Sequence, residues 1–283
     1  MTDTTTDKLN PEAEGFNVLL MGPSGTGKTH SIGTLVDAGL EVFYVSLETG
    51  FESLAGYYRD NGKPIPANLH WHKVAAAKAG IETLISSAER INTMSLDVLA
   101  KAVDVNKSKY NQFILILQAL TKFKDDRTGQ EYESVDKWKN DRVLVIDGLT
   151  GICNAAMSLV IGGKPVKNQS DWGIAQNEVE KILRKLCDDC RCHFVLLGHV
   201  EREVDQVLGG VKIMVSSLGA KLSPKIPPMF SDVILTVREG ATFKWDTASS
   251  QADVKTRNLP ISSTNQPDFK VIYNKWCNRN LVE

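Results

Sequence analysis

The chain has 283 residues, 42% of them hydrophobic and 24% charged, and its 33 Lys and Arg against 34 Asp and Glu leave a net charge of −1. These are the values of an ordinary globular protein with a large core, and they exclude a globally basic nucleic-acid binder, so any DNA contact has to come from local clusters. Five cysteines, an odd number, fit thiols in a reducing cytosol better than a disulfide framework, and no apolar run reaches the ~18–20 residues of a bilayer-spanning helix.

Met1–Asn10 is rich in Thr and Asp and reads as a disordered tail over 1–14 rather than a signal peptide. The rest, 15–283, reads as one domain with a helical insertion at about 64–140. Phe16–Met21 is a short apolar run that suits a strand buried on both faces. After a glycine-rich turn, Lys28–Ala38 reads as a helix ended by Gly39, and Glu41–Leu47 as a second strand. Together they form a βαβ unit, which implies a parallel sheet with a right-handed crossover.

His70–Val74 reads as another strand, Ala75–Ala102 and Ser108–Phe123 as helices, and Lys124–Glu133 as a polar loop turning at Thr128-Gly129. Arg142–Ile146 is a buried strand ending at Asp147, and Gly151–Ile161 a helix stopped by Gly162-Gly163. Asp171–Cys187 carries Trp172, Ala175, Val179, Ile182 and Leu186 at three- and four-residue steps, an amphipathic helix. His193–Leu197 is the next buried strand. Val200–Pro228 reads as irregular, and Val233–Val237, Thr242–Trp245 and Phe269–Tyr273 as a terminal, antiparallel set of strands.

The chemistry starts at Gly22-Pro23-Ser24-Gly25-Thr26-Gly27-Lys28-Thr29. Glycines at this spacing let backbone N–H groups curl around phosphate oxygens, with the lysine on the β- and γ-phosphates and the threonine hydroxyl on Mg²⁺. Its place between a strand and a helix is the context this P-loop requires, and the helix points its positive end at the same anion. Asp147, closing the strand RVLVI, has the form of the carboxylate behind Mg²⁺; capping the next helix is the plainer alternative.

AAA+ proteins carry a catalytic Glu directly after that Asp, whereas here Gly148 follows. Glu48, at the end of EVFYVSLE, occupies the position of the base in RecA-like proteins, where a carboxylate can orient and deprotonate the attacking water. His199 ends HFVLLG at the same sheet edge as Asp147 and could sense the γ-phosphate.

With Glu48, VLVIDGLT (143–150), LLGHVERE (196–203) and Lys255-Thr256-Arg257, the P-loop resembles phage-type RecA-like ATPases, among them single-strand annealing proteins of phage recombination. The resemblance implies an α/β RecA-like core, with a mostly parallel sheet flanked by helices and a C-terminal antiparallel extension. It also implies ATP and Mg²⁺ as cofactors, action on single-stranded DNA, often with a single-strand binding protein, and rings or filaments of identical copies in the cytoplasm. By position, Gly162–Asp171 corresponds to a first DNA-facing loop with Lys164 and Lys167, and Val200–Lys221 to a second with Arg202, Lys212 and Lys221. Glu201, Glu203 and Asp205 dilute the second. Lys255 and Arg257 correspond to cations that complete a neighbour's site.

Cys187, Cys190, Cys192 and His193 straddle a helix end and a strand start, which does not suit a zinc site. His70-Trp71-His72 and the apolar Phe113–Leu120 read as structural. A nucleotide-dependent switch or loader for a protein partner is the rival reading; a small-molecule kinase ranks last, for want of a lid-like Arg cluster.

Overall fold

The computed structural model describes residues 8–48, 50–75, 81–101, 110–164, 166–205 and 209–282. The first half runs β1 (Lys8–Leu9), β2 (Asn17–Met21), α1 (Lys28–Ser31), α2 (Gly33–Asp37), β3 (Glu41–Ser46), α3 (Phe51–Asp60), β4 (Leu69–Lys73), α4 (Ile81–Thr93), α5 (Leu96–Lys101), α6 (Gln112–Thr121), β5 (Phe123–Lys124) and β6 (Glu131–Tyr132). The second half runs β7 (Arg142–Asp147), α7 (Leu149–Ile161), α8 (Gln169–Arg184), β8 (His193–Gly198), β9 (Val200–Asp205), β10 (Gly210–Val215), β11 (Asp232–Glu239), β12 (Thr242–Asp246), α9 (Phe269–Arg279) and β13 (Leu281–Val282).

Seven strands form the main sheet in the order β12-β11-β2-β8-β7-β3-β4. Every neighbouring pair is parallel except β11 with β12. Strands buried on both faces have no polar side, which is why β2, β7 and β8 read as unbroken apolar runs. Alternate residues feed two cores. Leu19, Phe43, Leu144 and Leu196 pack with α6, α7 and α8, while Leu20, Tyr44, Val145 and Leu197 pack with α2, α3 and α9. One strand separates the P-loop strand from the Asp147 strand, and helices cover both faces, which is the RecA-like α/β arrangement with its antiparallel extension.

Several expectations need correction. Lys8–Leu9 pair antiparallel with Leu281–Val282, so the tail reading does not extend to them; residues 1–7 lie outside the described residues. The stretch 64–140 is not a purely helical insertion, because β4 joins the main sheet beside β3 and β5 pairs with β6 across the Thr128-Gly129 turn. Parts of the Ala75–Ala102 and Ser108–Phe123 readings, 76–80, 102 and 108–109, also lie outside the described residues. Val200–Pro228 is not irregular throughout, since β9 and β10 form an antiparallel hairpin. β11 is parallel to β2. Phe269–Tyr273 is helical: Phe269, Ile272 and Trp276 bury one stripe, and the Asp268 carboxylate accepts from Lys270 N at the start. Among the described residues no helix is long and apolar enough to cross a membrane.

Candidate functional site

The carboxyl ends of the parallel strands bring the site together. Register pairs Ser46 with Asp147, Asp147 with Leu197, and Met21 with Gly198, so the segments that follow all emerge at one sheet edge. A cleft of about 1160 Å³ opens there, lined by Ser24–Thr29 of the P-loop together with Glu48, Asp147 and His199. It extends between α3, through Tyr57, and the start of β12, through Phe243.

The P-loop is fixed from below. A Cβ on Gly22 would stand 2.0 Å from Thr236 Oγ1 and 2.7 Å from the Thr236 carbonyl oxygen, so β11 packs where only glycine fits. Thr26 and Thr236 share a hydroxyl–hydroxyl hydrogen bond of 2.6 Å, and Thr26 donates to Pro23 O at 2.8 Å. Gly27 caps α1 at φ 82, in the left-handed region. Lys28 Nζ donates to Gly22 O and Pro23 O, both at 2.8 Å. Burial pushes its ammonium down to about 8, against the pull of Asp147 and Glu48.

Asp147 is buried and held from two sides. Thr29 donates to its Oδ2 at 2.9 Å, and the Tyr44 phenol donates to the same oxygen. Burial raises the Asp147 carboxyl above the usual range, and the two donated hydrogen bonds oppose that rise. Burial, then the carboxylate itself, keeps the Tyr44 phenol protonated and therefore a donor. Glu48 lies beside the pair, with His199 Nε2 at 3.4 Å from its Oε2. A Cβ on Gly148 would stand 2.6 Å from Glu48 Oε1. The space after Asp147 is thus filled by a carboxylate reaching across from β3.

These groups fit a triphosphate with a hard divalent cation. Mg²⁺ is usually held by one or two protein oxygens plus phosphates and water, and the paired Thr29 hydroxyl and Asp147 carboxylate have the chemistry that would supply such a partial shell. Among the described residues no group of three or more His, Cys, Asp or Glu side chains could hold a metal by itself.

The remaining candidates lie outside the cleft. Lys255 pairs with Val233 at the amino end of β11, and Arg257 N donates to the buried Asp232 carboxylate. Both side chains are exposed at the sheet edge opposite the P-loop. Lys167 Nζ sits 5.3 Å from the Trp172 ring centroid, and Gln176 donates to Leu218 O, so the segments around Lys164 and Lys221 are neighbours. Lys212 pairs with Asp253 at 3.3 Å. Arg202 is exposed on the face of β9 opposite Glu201 and Glu203, because successive strand residues alternate sides. Residues 206–208 of that segment lie outside the described residues. Tyr44, Thr236 and Phe243 were not singled out from sequence; Tyr44 is hidden in an apolar run and the other two lie in the late strands.

A family model described as an AAA domain, AAA_24, matches residues 14–266, and the chain belongs to that family. No curated protein matches the chain. Among solved structures, a RadB recombinase is similar to it at 14% identity and a TM-score of 0.37, over 88% of this chain and 84% of that one.

Proposed function

We propose that this AAA-domain P-loop ATPase binds ATP with Mg²⁺, hydrolyses it with Glu48 as general base, and couples turnover to single-stranded DNA in recombination or replication. The observation that carries the catalytic half is the meeting of Glu48, Asp147, Lys28 and Thr29 in one cleft at the carboxyl edge of the sheet. Lys28 turns from the loop carbonyls to the β- and γ-phosphate oxygens, and the backbone N–H groups of 24–29 enclose them. Thr29 and Asp147 would hold the cation, whose chemistry there would be to offset negative charge on the phosphoryl group. Glu48 orients the attacking water and takes its proton, and His199 Nε2 positions that carboxylate.

Support for the DNA half is the course of the chain beyond His199. Ser216 N donates to His199 O at 2.8 Å, so the β9–β10 hairpin starts and ends at the residue facing Glu48. Movement of His199 would therefore reach Arg202 and Lys212. Lys255 and Arg257 cannot reach their own cleft across the sheet, so they serve, on this reading, as cations offered to the cleft of a neighbouring copy.

The test is ATP turnover with and without single-stranded DNA, for the wild type and Glu48→Gln. The variant is expected to lose about 10²–10⁴ in rate and keep its affinity for a non-hydrolysable analogue, and DNA is expected to raise wild-type turnover. Full turnover by Glu48→Gln sinks the catalytic assignment. Turnover that ignores DNA but answers to a protein partner replaces the DNA reading with that of a switch.

A further inference from the structure

Strand β3 carries two buried hydroxyls on one face. Tyr44 and Ser46 stand two positions apart on a strand and so point the same way, and neither is more than 2% exposed. A buried hydroxyl is costly unless it is hydrogen-bonded. Tyr44 gives its proton to Asp147. Ser46 Oγ gives its proton to the carbonyl oxygen of Glu48 at 2.7 Å, its one side-chain hydrogen bond among the described residues.

That bond falls where the sheet releases the chain. Val74 N donates to Ser46 O at 3.0 Å and Leu47 N to Asp147 O at 2.7 Å, so β4 and β7 hold the main chain as far as residue 47. Leu47 is also pressed against the start of α7, where a Cβ on Gly151 would stand 2.7 Å from its own Cβ. Beyond it, among the described residues, the Ser46 hydroxyl makes the one hydrogen bond to the Glu48 main chain. The Glu48 side chain is held no more firmly, since His199 Nε2 stands 3.4 Å from its Oε2, beyond the usual hydrogen-bond range. Ser46 itself stays beneath the cleft, whose wall includes Glu48 and Asp147 but not Ser46.

We infer that Ser46 is a positioning residue for hydrolysis. Its hydroxyl closes the turn from Ser46 to Glu48 and thereby aims the Glu48 carboxylate into the cleft, beside Asp147 and His199. The inference rests on the reading of Glu48 as the base and adds what keeps that base in place. Without the hydroxyl the Glu48 peptide is free to rotate and carries the carboxylate with it, and an ångström of misplacement can cost about a hundredfold in rate. The P-loop, Thr29 and Asp147 are positioned by β2, α1 and β7, so nucleotide and cation binding do not depend on this bond.

Single-turnover hydrolysis, affinity for a non-hydrolysable ATP analogue and the Mg²⁺ midpoint of that binding test it, on the wild type, Ser46→Ala, Glu48→Gln and the double variant. Ser46→Ala removes one oxygen, and circular dichroism and melting curves check that the fold is kept. It is expected to lower the rate at least tenfold while analogue affinity and the Mg²⁺ midpoint stay within about twofold of the wild type. In the Glu48→Gln background the same substitution is expected to change the rate by less than about twofold, because a group that acts through Glu48 has nothing left to place. Ser46→Ala that turns over like the wild type while Glu48→Gln is slow overturns the inference and leaves the base assignment standing. An equal loss in both backgrounds also overturns it, since the hydroxyl would then serve the fold, and so does a shifted Mg²⁺ midpoint, which would place its effect on Asp147. Full turnover by Glu48→Gln alone removes the base assignment and the inference with it.

Discussion

Gly22→Ala tests how rigidly the sheet holds the phosphate loop. The added Cβ would lie 2.0 Å from Thr236 Oγ1 and 2.7 Å from its carbonyl oxygen, so loop and strand must part by roughly an ångström. β11 cannot easily retreat, because Val233, Ile234 and Leu235 are buried and paired to β2. Overpacking of this kind costs about 1–3 kcal/mol. Losing the Thr26–Thr236 hydrogen bond adds about 1 kcal/mol. The sum, about 2–4 kcal/mol, lowers the melting temperature by roughly 3–7 °C for a chain of this size. The same displacement moves the Gly22 and Pro23 carbonyls that hold Lys28, and affinity for a non-hydrolysable ATP analogue should fall at least tenfold. Thermal melts and calorimetric titration read the two effects. Adding Thr236→Ala removes the closest atom and should restore part of the stability, but not all, since the backbone oxygen remains. A Gly22→Ala protein that melts within a degree of the wild type and binds as well would refute the reasoning.

Tyr44→Phe keeps the ring and removes one donor from Asp147 Oδ2. A hydrogen bond to a charged group is worth about 1.5–3 kcal/mol, so the Mg²⁺ midpoint for analogue binding should rise roughly ten- to hundredfold at unchanged fold; an unmoved midpoint means the phenol does not position the carboxylate. His193 makes a different prediction. It is fully buried and accepts from Phe16 N at 3.0 Å, and burial pushes its imidazole from 6.5 down to about 3. The unfolded chain therefore binds a proton that the folded one refuses, so the stability is present above pH 6.5 and is lost as pH falls from there toward 3. At pH 5 the loss should be about 2 kcal/mol. Urea midpoints at pH 7.5 and 5 measure it, and His193→Gln, which retains an acceptor for Phe16, should flatten the dependence.

What the sequence made legible follows physical range. β2, β7 and β8 are buried on both faces, and that leaves an apolar run in the sequence itself. The P-loop is equally local, because its glycines answer to turn geometry within eight residues. α9 looks like a strand over Phe269–Tyr273 alone, because those five residues mix aromatic and β-branched side chains; the helical stripe shows only when Trp276 is included. VEREVD hides the β9–β10 hairpin, because Glu201, Arg202 and Glu203 are exposed on both sides of the strand. The contacts of Tyr44 with Asp147 and of Thr26 with Thr236 span 103 and 210 positions. Only the strand order creates them, and no local pattern announces it.

That strand order also explains why a glycine follows Asp147. Ser46 and Asp147 are register partners on adjacent strands, so residue 48 and residue 148 emerge into the same space, and only one of them can carry a carboxylate there. Gly148→Ala probes this directly. At φ −162 the backbone accepts alanine without strain, and the atom its Cβ meets, 2.6 Å away, is the end of the flexible Glu48 side chain. Stability should therefore change by less than about 1 kcal/mol, since a movable tip yields where the Thr236 backbone cannot. The Glu48 carboxylate, however, must leave its position beside His199. If Glu48 is the base, turnover should drop at least tenfold while analogue affinity stays the same, since an ångström of misplacement can cost about a hundredfold in rate. A Gly148→Ala protein that turns over normally would mean that the base lies elsewhere, and one that loses nucleotide affinity instead would make Glu48 part of the binding shell rather than the agent of hydrolysis.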